Sequence, residues 1–256
     1  DLEQVAYTTC PPGVADWQLR AQHLSLDTDK LRGTGRNARV VFKGIPILYL
    51  PWISFPLSSA RQTGLLFPTL GSSSRNGATI SVPWYWNIAP SQDLTFTPTL
   101  YERRGIDAGV EYRLLSAAGG GTMRVNYLPN DRIAPPEDPS SHPDRSWLQL
   151  RANSRLGDAW QAQVDAQETS DSHYFEDFAS GQSSSSTVFL PRDVRLGATG
   201  DIWQLRAQLF GVQTLDDQLA AADRPYAELP RLTATARWRG SSGLASYFDR
   251  ELVDFQ

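Results

Sequence analysis

The side chains able to do chemistry are few. Three histidines, His23, His142 and His173, and one cysteine, Cys10, occur in 256 residues, and no two of them stand at the spacing of a metal site. No glycine-rich loop joins a strand to a helix, so no phosphate cradle is expected. A serine, histidine and acid set for hydrolysis has one candidate, His173, in the polar stretch TSDSHYFEDFASGQSSSS at 169–186. Its acidic neighbours Asp171, Glu176 and Asp177, like Glu137 and Asp138 earlier, read as solvated loop charge rather than as cation ligands. The chain is therefore not read as an enzyme, and neither a cofactor nor a metal is expected. Cys10 has no partner in the sequence and by itself reads as a buried thiol.

Two prolines raise a different chemistry, that of a missing donor. The stretch SVPWYWNIAPSQDLTFTPTLYERRG at 81–105 reads as two strands joined by a turn, with Pro83 in the first and Pro98 in the second. Proline gives no amide hydrogen to a ladder and is confined within sheets to edges, bulges and strand starts. Each absent bond removes about 0.5–1.5 kcal/mol, so a pair in consecutive strands marks a weakly zipped place. Tolerated bulges at a rim are the alternative reading.

The elements that must carry these residues are strands. Ile106, Ala108, Val110, Tyr112 and Leu114 alternate with Asp107, Gly109, Glu111 and Arg113, and the same grammar returns around Met123, Leu148, Val164, Leu205 and Ala234. Tight turns are expected at LGD (156–158), TGD (199–201) and GSSG (240–243), whereas 129–145, 169–186 and 211–228 read as long polar loops. Short turns on one side and long loops on the other suit an up-and-down antiparallel barrel of the outer-membrane kind. A soluble β-sandwich would share the alternation but not this regularity of loops. In such a barrel Glu111, Arg113, Arg124, Gln163 and Arg206 would line a wet lumen.

Residues 1–67 read differently. Their strands are shorter, punctuated by glycine and proline, and almost continuously apolar from 45 to 57. This portion is expected to be the end of a separate β-domain, with 68–256 forming the barrel strands. Leu24, Leu26, Val40, Phe42 and Ile47 are either ordinary sheet core, along with Leu48, or the lining of a lipid groove.

Composition narrows the partners. With 24 basic against 28 acidic residues the net charge is -4, which gives no reason to expect nucleic acid. A mean hydropathy of -0.39 is no argument against a membrane, because half of each barrel strand can face water. The opening DLEQVAYTTCPPG is not a secretory signal, so a processed chain or a fragment is expected.

The run ILYLPWISFPLSSARQTGLLFPTLGSSSRNG followed by VPWYWNIAPSQDLTFTPTLYERRG resembles the domain junction of the LPS-assembly family LptD, and VNYLPND, SDSHYFEDF and RPYAELPRL are similar to further family segments in the same order. The resemblance runs from about Tyr7 to at least Leu232. It implies an all-β chain: the end of a periplasmic β-taco (jelly-roll) domain, then the N-terminal strands of a large antiparallel outer-membrane barrel. About ten strands of the family's roughly two dozen would be present. It further implies lipopolysaccharide transport into the outer leaflet, with acyl chains in the β-taco groove, a lateral gate at Pro83 and Pro98, and the polar part in the lumen. Implied partners are lipopolysaccharide, outer-membrane lipids, the lipoprotein LptE inside the barrel, and the bridge protein LptA through a missing N-terminal part. Cys10, in YTTCPPG, would join a cysteine outside this chain. A porin or substrate-specific channel is the alternative, needing neither an apolar N-terminal domain nor gate prolines.

Overall fold

A computed structural model describes residues 1–8, 16–29, 32–57, 61–133, 144–178, 187–240 and 243–256. Cys10, Glu137, Asp138 and His142 lie outside the described residues. The chain forms two compact units, Asp1–Phe67 with Val82–Asn87, and Pro68–Ser81 with Ile88–Gln256.

The first unit holds a four-stranded antiparallel sheet of β1 (Leu2–Tyr7), β2 (Trp17–Asp27), β3 (Arg32–Phe42) and β4 (Ile45–Pro56), paired in chain order. A two-residue turn, Lys43 and Gly44 with φ of 47° and 84°, joins β3 to β4. Two positive values make a hairpin turn whose twist matches that of its strands. A short β5 (Gly64–Leu65) follows.

The chain then runs through β6 (Thr69–Ser73), β7 (Gly77–Ser81), β8 (Trp84–Ala89), β9 (Gln92–Tyr101), β10 (Gly105–Ser116) and β11 (Gly119–Leu128). It continues through β12 (Arg145–Leu156), β13 (Trp160–Thr169), a five-residue helix α1 (Tyr174–Phe178), β14 (Phe189–Thr199), β15 (Trp203–Thr214), β16 (Glu228–Arg239) and β17 (Ala245–Phe255). β8 pairs with β5 in the first unit. In the second unit the antiparallel order is β17-β16-β15-β14-β13-β12-β11-β10-β9-β7-β6. From β9 to β17 sequence neighbours are thus spatial neighbours, as in a meander, while β9 takes β7 rather than β8 as the next strand of this order.

The all-β reading holds, and the connections follow the expected rhythm. Residues 117–118, 157–159 and 200–202 turn tightly at one end, while 129–144, 170–188 and 215–227 form the long connections at the other. From β9 to β17 the strands are 10 to 12 residues long, enough to cross a bilayer core when tilted. Cross-strand partners fix two unlike faces. Val110, Val125 and Leu148 lie on one rung, and Leu196, Ala207 and Leu232 on another, all on an apolar face. Leu148, Leu196, Leu205, Leu209 and Leu232 are exposed there. On the opposite face the rungs read Glu111, Arg124, Gln149 and Gln163, Arg195, Gln208. A sheet this apolar on one side and this charged on the other needs two different solvents.

Candidate functional site

In the four-stranded sheet, strict alternation would scatter the apolar residues of β2 over both faces, since Leu19 and Ala21 have odd positions and Leu24 and Leu26 even ones. The ladder shows why they do not scatter. Gln4, Gln22, Asn37 and Pro51 align on one rung that carries no pairing, because the register jumps from Glu3↔His23 to Val5↔Ala21 and from Arg36↔Trp52 to Ala38↔Leu50. Gln4 and Asn37 take the left-handed conformation, φ 53° and 51°, which interrupts the two-residue repeat and turns the strand over. Leu2, Leu24, Leu26 and Ile53 before the rung therefore share a face with Leu19, Ala21, Ala38, Val40 and Leu50 beyond it. A Cβ on Gly35 would lie 2.8 Å from Ile53 Cγ2 and 3.7 Å from Ala21 Cβ, so atoms from both sides of the rung meet there.

The other face is polar. Arg32 donates to Ser54 and stacks at 5.9 Å over Trp52, and Arg39 stacks at 5.9 Å over Tyr49. The rung itself is tied by Asn37 donating to Gln22 at 2.7 Å and Tyr49 donating to Asn37 at 2.6 Å. Of the residues expected in a groove, Leu24 and Val40 are half-buried, while Leu26 and Phe42 are each 44% exposed. Ile47 is the extra residue of a bulge, skipped between Val40↔Leu48 and Val41↔Pro46, and its side chain lies outside the description. An apolar side chain gains about 1.5–3 kcal/mol on leaving water, so this face offers binding energy to something greasy.

The charged wall of the second unit is a relay of partners. Arg113 donates to both oxygens of Asp93 at 2.7 and 3.0 Å and lies 3.7 Å from Glu111, Glu111 accepts from Arg124, and Arg124 donates to Gln149 at 2.8 Å. Glu111, Arg113 and Arg124 thus sit together across β9 to β12. Gln163 and Arg206 sit apart from them, lining a hollow of about 1050 Å³ with Arg155, Gln204, Thr233 and Thr235. Amide, hydroxyl and guanidinium groups there suit a hydrated, oxygen-rich ligand.

The prolines occupy different positions. Pro98 is inside β9, opposite Ala108 of β10. Pro83 is not within a strand but in the two-residue break between β7 and β8, a correction to the sequence expectation that follows from its missing donor. The β7–β9 ladder ends at Ser81↔Thr99, one residue short of Pro98.

The densest chemistry was not visible in the sequence. Arg145, 1% exposed, donates from Nε and Nη2 to the two oxygens of Asp171 at 2.6 and 2.7 Å, and from Nη1 to Asp131 at 3.1 Å and Asp177 at 3.0 Å. Arg104 donates to Asn76 at 2.7 Å, to Asp131 at 2.6 Å, and pairs with Asp177 at 2.8 Å. Both guanidiniums lie over Phe178 of α1, at 5.1 and 5.0 Å. Tyr174 packs against Phe178 at 5.0 Å, and its burial pushes the phenol well above its usual pKa. Asp171, buried against Arg145, and Asp177, partly buried between Arg104 and Arg145, are therefore ion-pair partners rather than solvated charge. Glu176 is exposed, and His173 stands 4.0 Å from it, whereas the Ser172 hydroxyl goes to Asp217 at 2.8 Å. The signal in the sequence was an arginine at the first position of a strand, beside loops rich in aspartate.

Comparison with known proteins places this geometry in context. The family model described as LptD protein matches residues 34–188, and that described as LPS transport system D matches residues 143–256. The LPS-assembly protein LptD of Alkalilimnicola ehrlichii is 42% identical over 91% of this chain and 29% of its own length. Those of Nitrosomonas eutropha and Bordetella pertussis are 37% and 36% identical, over 92% and 90% of this chain and 32% and 28% of their own lengths. The chain thus spans about a third of the relatives it matches.

Proposed function

Because the chain belongs to the LptD family, we propose that it is part of a machine that carries lipopolysaccharide across the outer membrane to its surface. The observation carrying this reading is the pairing, in one chain, of a four-stranded sheet with one apolar face and a long sheet with one lipid-like and one charged face. Acyl chains travel over Leu24, Leu26, Val40 and Phe42 of a periplasmic β-taco whose C-terminal part is 1–67. The sugar and phosphate part passes the wall of a barrel begun by 68–256, past Glu111, Arg113, Arg124, Gln163 and Arg206. Each half of the amphiphile then stays in a matching medium.

A closed barrel has no free edge, so a lipid needs a weak place in the wall. Pro83 and Pro98 supply it, and the ladder that stops at Ser81↔Thr99 supports this gate. LptE inside the barrel, LptA at the periplasmic side and a disulfide from Cys10 complete the proposed assembly. The chain acts here by transport and not by catalysis.

Photoreactive residues at Leu26 and at Pro83 test the reading in the full-length protein. Lipopolysaccharide adducts at both are expected. Their absence at both, in protein that assembles normally, overturns transport in favour of a channel. Replacing Pro83 and Pro98 together by alanine is expected to slow delivery of lipid to the cell surface, and unchanged delivery removes the gate.

A further inference from the structure

The β6–β7 hairpin is held very unevenly. Along its length β7 meets β9 through Thr79↔Tyr101, Ile80↔Leu100 and Ser81↔Thr99, where the Ser81 and Thr99 hydroxyls are 2.9 Å apart. Beyond that rung stands Pro98, which has no donor to offer. Glu102 gives its amide to the carbonyl of Ala78, and backbone groups alternate sides along a strand, so the nitrogen of Pro98, four residues away, points to the same side. The ladder therefore stops where β9 cannot continue it.

At the other end, the tip of the hairpin is tied many times over. The Glu102 amide reaches Ala78 at 2.9 Å, the Glu102 carboxylate accepts the Ala78 amide at 2.8 Å, and the Arg103 amide reaches Asn76 at 3.1 Å. Arg103 also donates its guanidinium to the Ser74 carbonyl at 2.6 Å. Asn76, itself buried, accepts from Arg104 and donates to the carbonyl of Asp177 at 2.7 Å. Arg75 donates to the carbonyl of Glu176 at 2.9 Å. The last two bonds join the tip to the C-terminal turn of α1, whose carbonyls have no partner within so short a helix. α1 is in turn locked to β12 by Arg145 through Asp177, and through Asp171 just before the helix, with the Arg104 and Arg145 guanidiniums both facing Phe178. Gly77 fits this crowding because it has φ of 71° and because a Cβ there would stand 2.7 Å from the Glu102 carboxylate.

Resting on the gate reading above, we propose that the cluster around Arg104 and Arg145 pins the β6–β7 hairpin to the wall at its long-loop end, so that the hairpin parts from β9 only from the end where Pro98 lies. The hairpin is then a leaf hinged at the rim. Parting at its Pro98 end widens the wall next to the short-turn side, while the rim stays shut behind α1. A buried network of two guanidiniums and three carboxylates suits a fixed hinge, since stranding any of its charges away from water is costly.

Paired cysteines across β7 and β9 in the full-length protein, with its natural partners, test the idea. Directly opposed strand residues lie about 4.5–5.5 Å apart, within disulfide reach. Oxidising Ser81→Cys with Thr99→Cys is expected to lower lipopolysaccharide delivery several-fold, and reduction to restore it. Oxidising Thr79→Cys with Tyr101→Cys, the ladder pair nearest the rim, is expected to leave delivery unchanged. A block by the rim pair overturns the hinge while leaving the gate. No block by either pair removes the gate reading, and the inference falls with it. Hydrogen exchange on the unsubstituted protein gives an independent measure. The Ile80 and Leu100 amides are expected to exchange faster than those of Glu102 and Arg103, and equal or reversed rates overturn the pin whatever the lipid does.

Discussion

Arginine does two unlike jobs in this chain. On the wall, Arg151 and its partner Asp165 are both exposed and their pairing at 3.2 Å is screened by water, so exchanging Arg151 for methionine is expected to change stability by less than about 1 kcal/mol. Arg145 is sealed among Asp131, Asp171 and Asp177, and Arg145→Met strands the buried Asp171 carboxylate while Asp131 and Asp177 keep only Arg104 within the cluster. A loss of about 3–5 kcal/mol is expected, read from the denaturant midpoint of the folded protein in detergent. Tyr174 gives a pH signature for the same cluster. Its folded phenol titrates above its ordinary value of 10.0 because burial disfavours the anion. The stabilisation is therefore complete below pH 10.0 and is lost as the pH rises through the folded value. Ultraviolet difference spectra against Tyr174→Phe are expected to show one tyrosine that stays neutral after the exposed ones have ionised. The sequence held all these residues in view, yet solvated loop charge was the natural reading of Asp171 and Asp177. Their partner Arg145 is 26 and 32 positions away, and no local pattern links them.

At the scale of elements, one unpaired rung decides what the four-stranded sheet can do. Leu24, Leu26, Val40 and Phe42 were legible as apolar positions of β2 and β3. Leu19, Ala21 and Leu50 were not recognised as companions of Leu24 and Leu26, because they lie beyond the unpaired rung, across Gln22 or Pro51, in the opposite phase. The clue was present as a change of parity at Gln22 and Asn37. Asn tolerates the left-handed conformation better than most residues, and a β-branched side chain there is strained by about 1–2 kcal/mol. Asn37→Val is expected to loosen the sheet, measured as faster proteolysis within β3, whereas Asn37→Gly keeps the φ of 51° without that strain. Pro83 teaches a related lesson. Its exclusion from ladders was known from chemistry, but only the fold shows that β7 stops before it and β8 starts after it.

At the scale of the whole molecule, the proposed transport makes a demand on exposed apolar surface that folding does not. Phe42 and Leu26 are each 44% exposed, so Phe42→Asn and Leu26→Asn remove little packing. They are expected to lower photocrosslinking of lipopolysaccharide to the four-stranded sheet several-fold with assembly unchanged, and full crosslinking would separate this face from the lipid path. The sequence by itself determined the strands, the rhythm of short turns and long loops, the two faces of the long sheet and the family, because each of these is written in residues close together along the chain. Only the tertiary structure decided that two half-faces of opposite phase join into one apolar surface. It alone brought Arg104, Arg145 and three distant aspartates into one buried cluster. Both depend on which strands lie side by side, and contacts across long stretches of chain leave no periodic mark in the order of residues.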